Sequence, residues 1–181
     1  MSAIKSKVAL LAVCSSVAML QPAQASDESY RTLSNVLALG LPAAAAIISV
    51  AQDDGSGILQ LAKAEGLTLL STEILKRVTH ETRPNGKDDK SFPSGHTAVA
   101  FAAAQYMQER GGWQYGVPAY ALAGLVGYSR VEAHEHYWRD VVAGAALGMA
   151  AGAYFTDKRE HVRLSVMLGR NSAQATLTSA W

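Results

Sequence analysis

Apolar positions along the chain divide it into a leader, five segments with helical spacing and an alternating tail. Lys5 and Lys7 precede an apolar run over 8–20, which ends at Ala23-Gln24-Ala25. A positive start, a short apolar stretch and an A-x-A site together read as a cleaved signal peptide over 1–25. After a polar lead-in, 33–51 predicts an apolar helix containing Pro42, closed by the turn residues DDGSG at 53–57. Residues 58–78 predict an amphipathic helix: Ile58, Leu61, Ala62 and Leu69 recur at helical spacing, with Lys63, Glu65, Glu73 and Lys76 at polar positions. The polar stretch 81–93 predicts a loop. A helix follows from Ser94 to Arg110, started by Pro93 and stopped by Gly111-Gly112, and two Ala/Gly-rich helices follow over 117–128 and 140–155. The tail alternates over 162–168, turns at 169–172 and alternates again over 174–181, the pattern of a short β-hairpin.

These elements predict an all-α fold, a compact bundle of about five to six helices forming one domain over 26–181. The length of 181 residues suits a single domain with a real core. A net charge of +1, with no basic run, gives no general pull toward nucleic acid. The only cysteine, Cys14, leaves with the leader, so the exported chain carries no thiol and no disulfide. Losing Lys5 and Lys7 as well brings the charge close to balance. The leader directs the protein out of the cytoplasm, with the periplasm the preferred destination. Each apolar run is interrupted or falls short of the ~20 residues of a membrane span. A soluble bundle is therefore the first expectation. A bundle embedded in or resting on a membrane is the alternative, because 33–51 nearly reaches that length.

Three polar clusters interrupt the apolar pattern: KRVTHETRP (76–84), SFPSGHT (91–97) and SRVEAHEHYWRD (129–140). Each alone has an ordinary reading, as a solvated helix end, a proline-started helix and a set of surface ion pairs. Phosphate chemistry gives them one purpose. A phosphoryl group in transfer spreads charge over three oxygens, so catalysis is mainly positioning and fixed positive donors. Lys76, Arg83 and Arg130 supply cations, with arginine offering a planar two-pronged fork. The Ser94 hydroxyl and the Gly95 amide lie at a helix N-terminus that favours an anion. His136 and Asp140 stand four apart. On a helix they would share a face, the acid fixing the imidazole tautomer and leaving the other nitrogen free to attack phosphorus. His134 would point elsewhere, and His96 at the mouth of the anion site would protonate the leaving oxygen. A metal held by His134 and His136 is the weaker alternative, since no familiar ligand motif accompanies them. His80 and His161 receive no role.

Lys76-x6-Arg83-Pro84, Pro93-Ser94-Gly95-His96 and Ser129-Arg130-x5-His136-x3-Asp140 together resemble the three-part signature of the type-2 phosphatidic acid phosphatase superfamily. That superfamily also includes bacterial acid phosphatases and vanadium haloperoxidases. The resemblance implies a phosphohistidine at His136 and a general acid at His96 that later activates water. It implies that Asp140 orients His136, and that Lys76, Arg83, Ser94, Gly95 and Arg130 hold the phosphate without a metal or other cofactor. Substrates would be soluble phosphomonoesters or lipid phosphates, the latter with membrane surface contact. A vanadate-dependent haloperoxidase and an inactive binding protein on the same scaffold are the alternatives. Two features depart from commoner members: the loop 85–92 is short, and Tyr137-Trp138-Arg139 replaces a proline-containing link. Trp138 and Arg139 would line the entrance.

Overall fold

Ser26 opens the first helix, α1 (Asp27–Ala51), accepting a hydrogen bond from the Ser29 amide at 3.3 Å, with Asp27 and Glu28 in the first turn. The computed structural model describes residues 26–158 and the backbone of 161–168 and 173–180; the leader and the turn at 169–172 lie outside the described residues. Asp54 caps α2 (Gly55–Thr79) by accepting from the Gly57 amide at 2.9 Å. His80 then ends α2 in a left-handed conformation. After the loop come α3 (Gly95–Gly111) and α4 (Trp113–Glu132), separated by Gly112 at a φ of 72°, which suits glycine. α5 (Trp138–Phe155) completes the helices. Each of the five sequence segments became one helix, extended at one or both ends. The strand segments β1 (His161–Leu168) and β2 (Ala173–Ala180) pair antiparallel.

α3 packs against all four other helices. It does so with small side chains: Ala98, Ala100, Ala102, Ala103 and Ala104 are all fully buried, and Ala119, Ala123 and Val126 of α4 meet the same cluster. α5 comes closest. Gly144, Gly148 and Gly152, spaced one turn apart, face the backbone or side chains of Ser94, Ala98, Ala102 and Gln105. A Cβ at Gly148 would land inside the contact radius of the Ala98 carbonyl oxygen. Gly148→Ala is therefore expected to cost about 1–3 kcal/mol of stability. A fall in the thermal midpoint would report it, and an unchanged midpoint would contradict the close approach.

Small residues inside leave many of the large apolar ones outside. Val36, Leu39, Ile47 and Val50 on α1, Leu69, Leu70 and Ile74 on α2, Val117 on α4 and Val142 and Tyr154 on α5 are all exposed, Leu39 by 75%. No charged residue occurs over 32–51, 113–129 or 141–155. Among the described helices α1 is long and apolar enough to cross a membrane. Val36, Leu39, Ile47 and Val50 recur at helical spacing, so α1 carries an exposed apolar stripe of the kind that marks an interaction surface.

The helices alternate in direction, so one end of the bundle gathers the start of α1, the end of α2, the start of α3, the end of α4 and the start of α5. All three polar clusters fall at that end. The opposite end is closed by an Asp54–Arg110 ion pair and by Ser49 and Tyr106, whose hydroxyls lie 2.6 Å apart.

Candidate active site

Lys76, in the last turn of α2, reaches across to the residues preceding α3. Its Nζ donates to the carbonyls of Lys90 at 2.8 Å and Pro93 at 2.6 Å. Burial, then the nearby Arg83 charge, pulls its pKa down to about 8, while Asp140 and Asp88 act in the opposite sense. A Cβ at Gly95 would lie 3.9 Å from Lys76 Cε, so the start of α3 stands directly beside the lysine stem. Arg83, in the loop, donates from Nε to Asp88 Oδ1 at 2.7 Å and from Nη1 to Glu135 Oε2 at 2.6 Å. Arg130, near the end of α4, is only 5% exposed, with its guanidinium 3.4 Å from both Glu135 Oε2 and Ser34 Oγ.

His96 and His136 feel the same three cations. At His96, burial and then Arg130, Arg83 and Lys76 push the pKa down to about 4. At His136, 2% exposed, burial and then Arg130, Lys76 and Arg83 hold the pKa far below the ordinary histidine value. Both rings are therefore neutral at pH 7 and keep a nitrogen lone pair. Ser94 is buried at the N-cap of α3 but does not stand free. Its hydroxyl lies 2.9 Å from that of Thr97, and its amide donates to the Asp140 carbonyl at 3.0 Å.

The expected helical face shared by His136 and Asp140 is not there. α4 ends at Glu132, and the amides of Glu135 and His136 both turn back to the Arg130 carbonyl, at 3.1 and 3.2 Å. His136 thus lies in the link before α5, whereas Asp140 sits in the first turn of α5. The Asp140 carboxylate accepts from the Tyr137 amide at 2.9 Å and the Ser91 hydroxyl at 2.5 Å. His136 Nδ1 is 3.7 Å from the same Oδ2, an ion-pair distance rather than a hydrogen bond. The two residues still meet, because the acid caps the helix that His136 leads into.

His134 has a φ of 54° and is 64% exposed in its side chain, with Nδ1 3.6 Å from Asp27 of α1. It stands on the surface, away from His136. His80 is exposed beside Asp89, and the side chain of His161 lies outside the described residues. Among the described residues no group of three or more His, Cys, Asp or Glu side chains is placed to hold a metal ion. At the surface, Arg139 lies 5.1 Å from the centre of the Tyr137 ring and pairs with Glu81, beside the exposed Trp138.

A family model described as the PAP2 superfamily matches residues 57–161, more than half of the chain and all three polar clusters. The chain belongs to the PAP2 superfamily. Among curated PAP2 relatives, a lipid A 1-phosphatase of Porphyromonas gingivalis is 42% identical over 74 residues, covering 39% of this chain and 16% of that protein. A lipid A 4'-phosphatase of Helicobacter pylori is 35% identical over 82 residues, 45% of this chain and 41% of that protein. The chain thus matches less than half the length of either relative. The crystal structure of Aquifex aeolicus LpxE aligns with a TM-score of 0.63 at 22% identity, over 76% of this chain and 87% of that one. The structure of a transmembrane PAP2-type phosphatidylglycerolphosphate phosphatase from Bacillus subtilis aligns at 0.57 and 22%, over 86% and 85%. These likenesses show that the helical architecture is the PAP2 fold.

Three residues that join this candidate cluster were not legible in the sequence. Ser91 reads as a loop serine, yet it is fully buried on Asp140. Asp88 reads as one of several loop acids, yet it holds Arg83. Glu135 reads as a surface acid between two histidines, yet it is 5% exposed and meets three arginines. Adjacency to His136 is the one sequence signal that singles Glu135 out.

Proposed function

We propose that this PAP2 protein is a metal-independent lipid phosphate phosphatase, working outside the cytoplasm through a phosphohistidine. The observation that carries the reading is that three cations gather at the bundle end holding both histidines: Arg83 and Arg130 share Glu135, the neighbour of His136, and Lys76 lies beside the start of α3 that carries His96. A phosphate monoester entering this cage would be held by the three cations, with the start of α3 adding its dipole. A monoanion can hand its proton to the neutral His96, because the arriving charge offsets the cations that otherwise keep that ring unprotonated. His136, neutral and held near Asp140 and Ser91, attacks phosphorus. A nitrogen–phosphorus bond forms as the bond to the leaving oxygen breaks, and His96 returns its proton to that oxygen. His96 then takes a proton from water, the resulting hydroxide displaces His136, and His96 passes that proton to the departing inorganic phosphate.

The lipid assignment rests on the apolar outer surface and on the two curated relatives, whose names record lipid A as their substrate. We assign membrane attachment to α1, whose first turns stand beside the candidate site. The remaining apolar faces would lie against the same bilayer, presenting the polar end of the bundle to lipid headgroups. A membrane fraction carrying the full chain is expected to release phosphate from lipid phosphates and from a chromogenic phosphomonoester. That activity should withstand EDTA and be blocked by orthovanadate. Loss of activity in EDTA that is restored by a divalent metal would overturn the metal-independent reading.

A further inference from the structure

Glu135 stands between the two arginines expected to hold phosphate, and no step of the reaction above uses it. Its Oε2 accepts from Arg83 at 2.6 Å and lies 3.4 Å from Arg130, while its Oε1 lies 2.8 Å from Arg31 of α1. One carboxylate, 5% exposed, is shared by three guanidiniums from three parts of the fold. Its charge also reaches His96, where it opposes the three cations.

We propose that Glu135 is a positioning residue that also sets anion affinity: an internal anion that aligns Arg83 and Arg130 before substrate arrives and competes with phosphate for them. The inference rests on the phosphatase reading and extends it. Two guanidiniums in a buried pocket repel, and without a counter-ion they would splay or draw in an ion from solvent. Glu135 holds them together. Arginine has five donors, so Arg83 and Arg130 can bind a phosphate while keeping part of their bond to the acid. That phosphate nevertheless meets a negative charge already in place, and product dianion leaves more readily than it would from a bare cage. In a partly buried site a unit charge a few ångströms away outweighs one lost hydrogen bond. Charge, rather than alignment, therefore decides the effect of a neutral replacement.

The test compares wild type, Glu135→Gln and Glu135→Asp for orthovanadate and phosphate inhibition, KM and kcat on a chromogenic phosphomonoester. Glu135→Gln keeps the shape and removes the charge. It is expected to bind vanadate and phosphate at least tenfold more tightly, with KM and kcat both reduced as product release becomes limiting. Glu135→Asp keeps the charge but withdraws it by one methylene, so at least one arginine loses its partner. Vanadate inhibition should weaken several-fold and KM should rise. Opposite shifts in the two variants support the proposal. Weaker binding in both variants, or no change in both, overturns it, because a merely structural role would move both the same way. Should Glu135→Gln fail to fold, wild-type KM and vanadate inhibition in Glu135→Asp would overturn it alone. Absence of vanadate-sensitive hydrolysis in wild type would instead defeat the phosphatase reading itself.

Discussion

His136→Ala is expected to lower kcat on the order of 10⁴-fold or more, the scale associated with removing a covalent nucleophile. The cage of Lys76, Arg83 and Arg130 stays intact in that variant, so orthovanadate should still bind. Burial and the three cations keep His136 unprotonated throughout the working pH range, so its lone pair is available without a separate base. Rapid acid-free quenching of wild type with labelled substrate should trap phosphate on the protein, and His136→Ala should trap none. His134→Ala is expected to retain most activity, since that side chain lies at the surface against Asp27. Full turnover in His136→Ala, or the reverse ranking of the two variants, would sink the phosphohistidine mechanism.

The second large effect is an alkaline limb set by Lys76. Its pKa is lowered to about 8, chiefly by burial and then by Arg83. A lysine is charged below its pKa, so its grip on phosphate is complete well below pH 8 and is lost as pH rises through that value. The ratio kcat/KM reports ionisations of the free enzyme, and it is expected to fall above about pH 8. The corresponding limb in kcat should lie higher, because a bound phosphate dianion favours the ammonium form. Lys76→Arg carries a charge that does not titrate in this range, so the limb near pH 8 should vanish even if the overall rate falls. A limb that stays at the same pH in Lys76→Arg would assign it to another group.

The five helices were legible because their signals are local. Pro93 before α3, Gly111-Gly112 after it, and apolar spacing within each segment act over a few residues. The candidate site residues could be named for a related reason: a histidine, an aspartate and basic residues at fixed spacing survive any detail of how the chain turns. The relation between His136 and Asp140 was reached by a route that the fold does not use. Spacing of four suggested one helical face, but the chain leaves α4 before His136 and enters α5 after it. The carboxylate instead reaches back as a helix cap and takes Ser91 as a partner.

Spacing along the chain, then, settles which groups are present and at which helix ends, since helix starts and stops are written in neighbouring residues. Partnerships between distant groups belong to the folded molecule. Arg83 and Glu135 are 52 positions apart, and Arg31 joins them from α1; nothing in local pattern links the three. The exposure of the large apolar residues also emerges only from packing. Alanine and glycine fill the interior because α3 and α5 approach too closely for larger side chains. Many of the leucine, isoleucine and valine side chains are thereby left facing outward, and the SRVEAHEHYWRD segment becomes two surfaces, His134 outside and Glu135-His136 within.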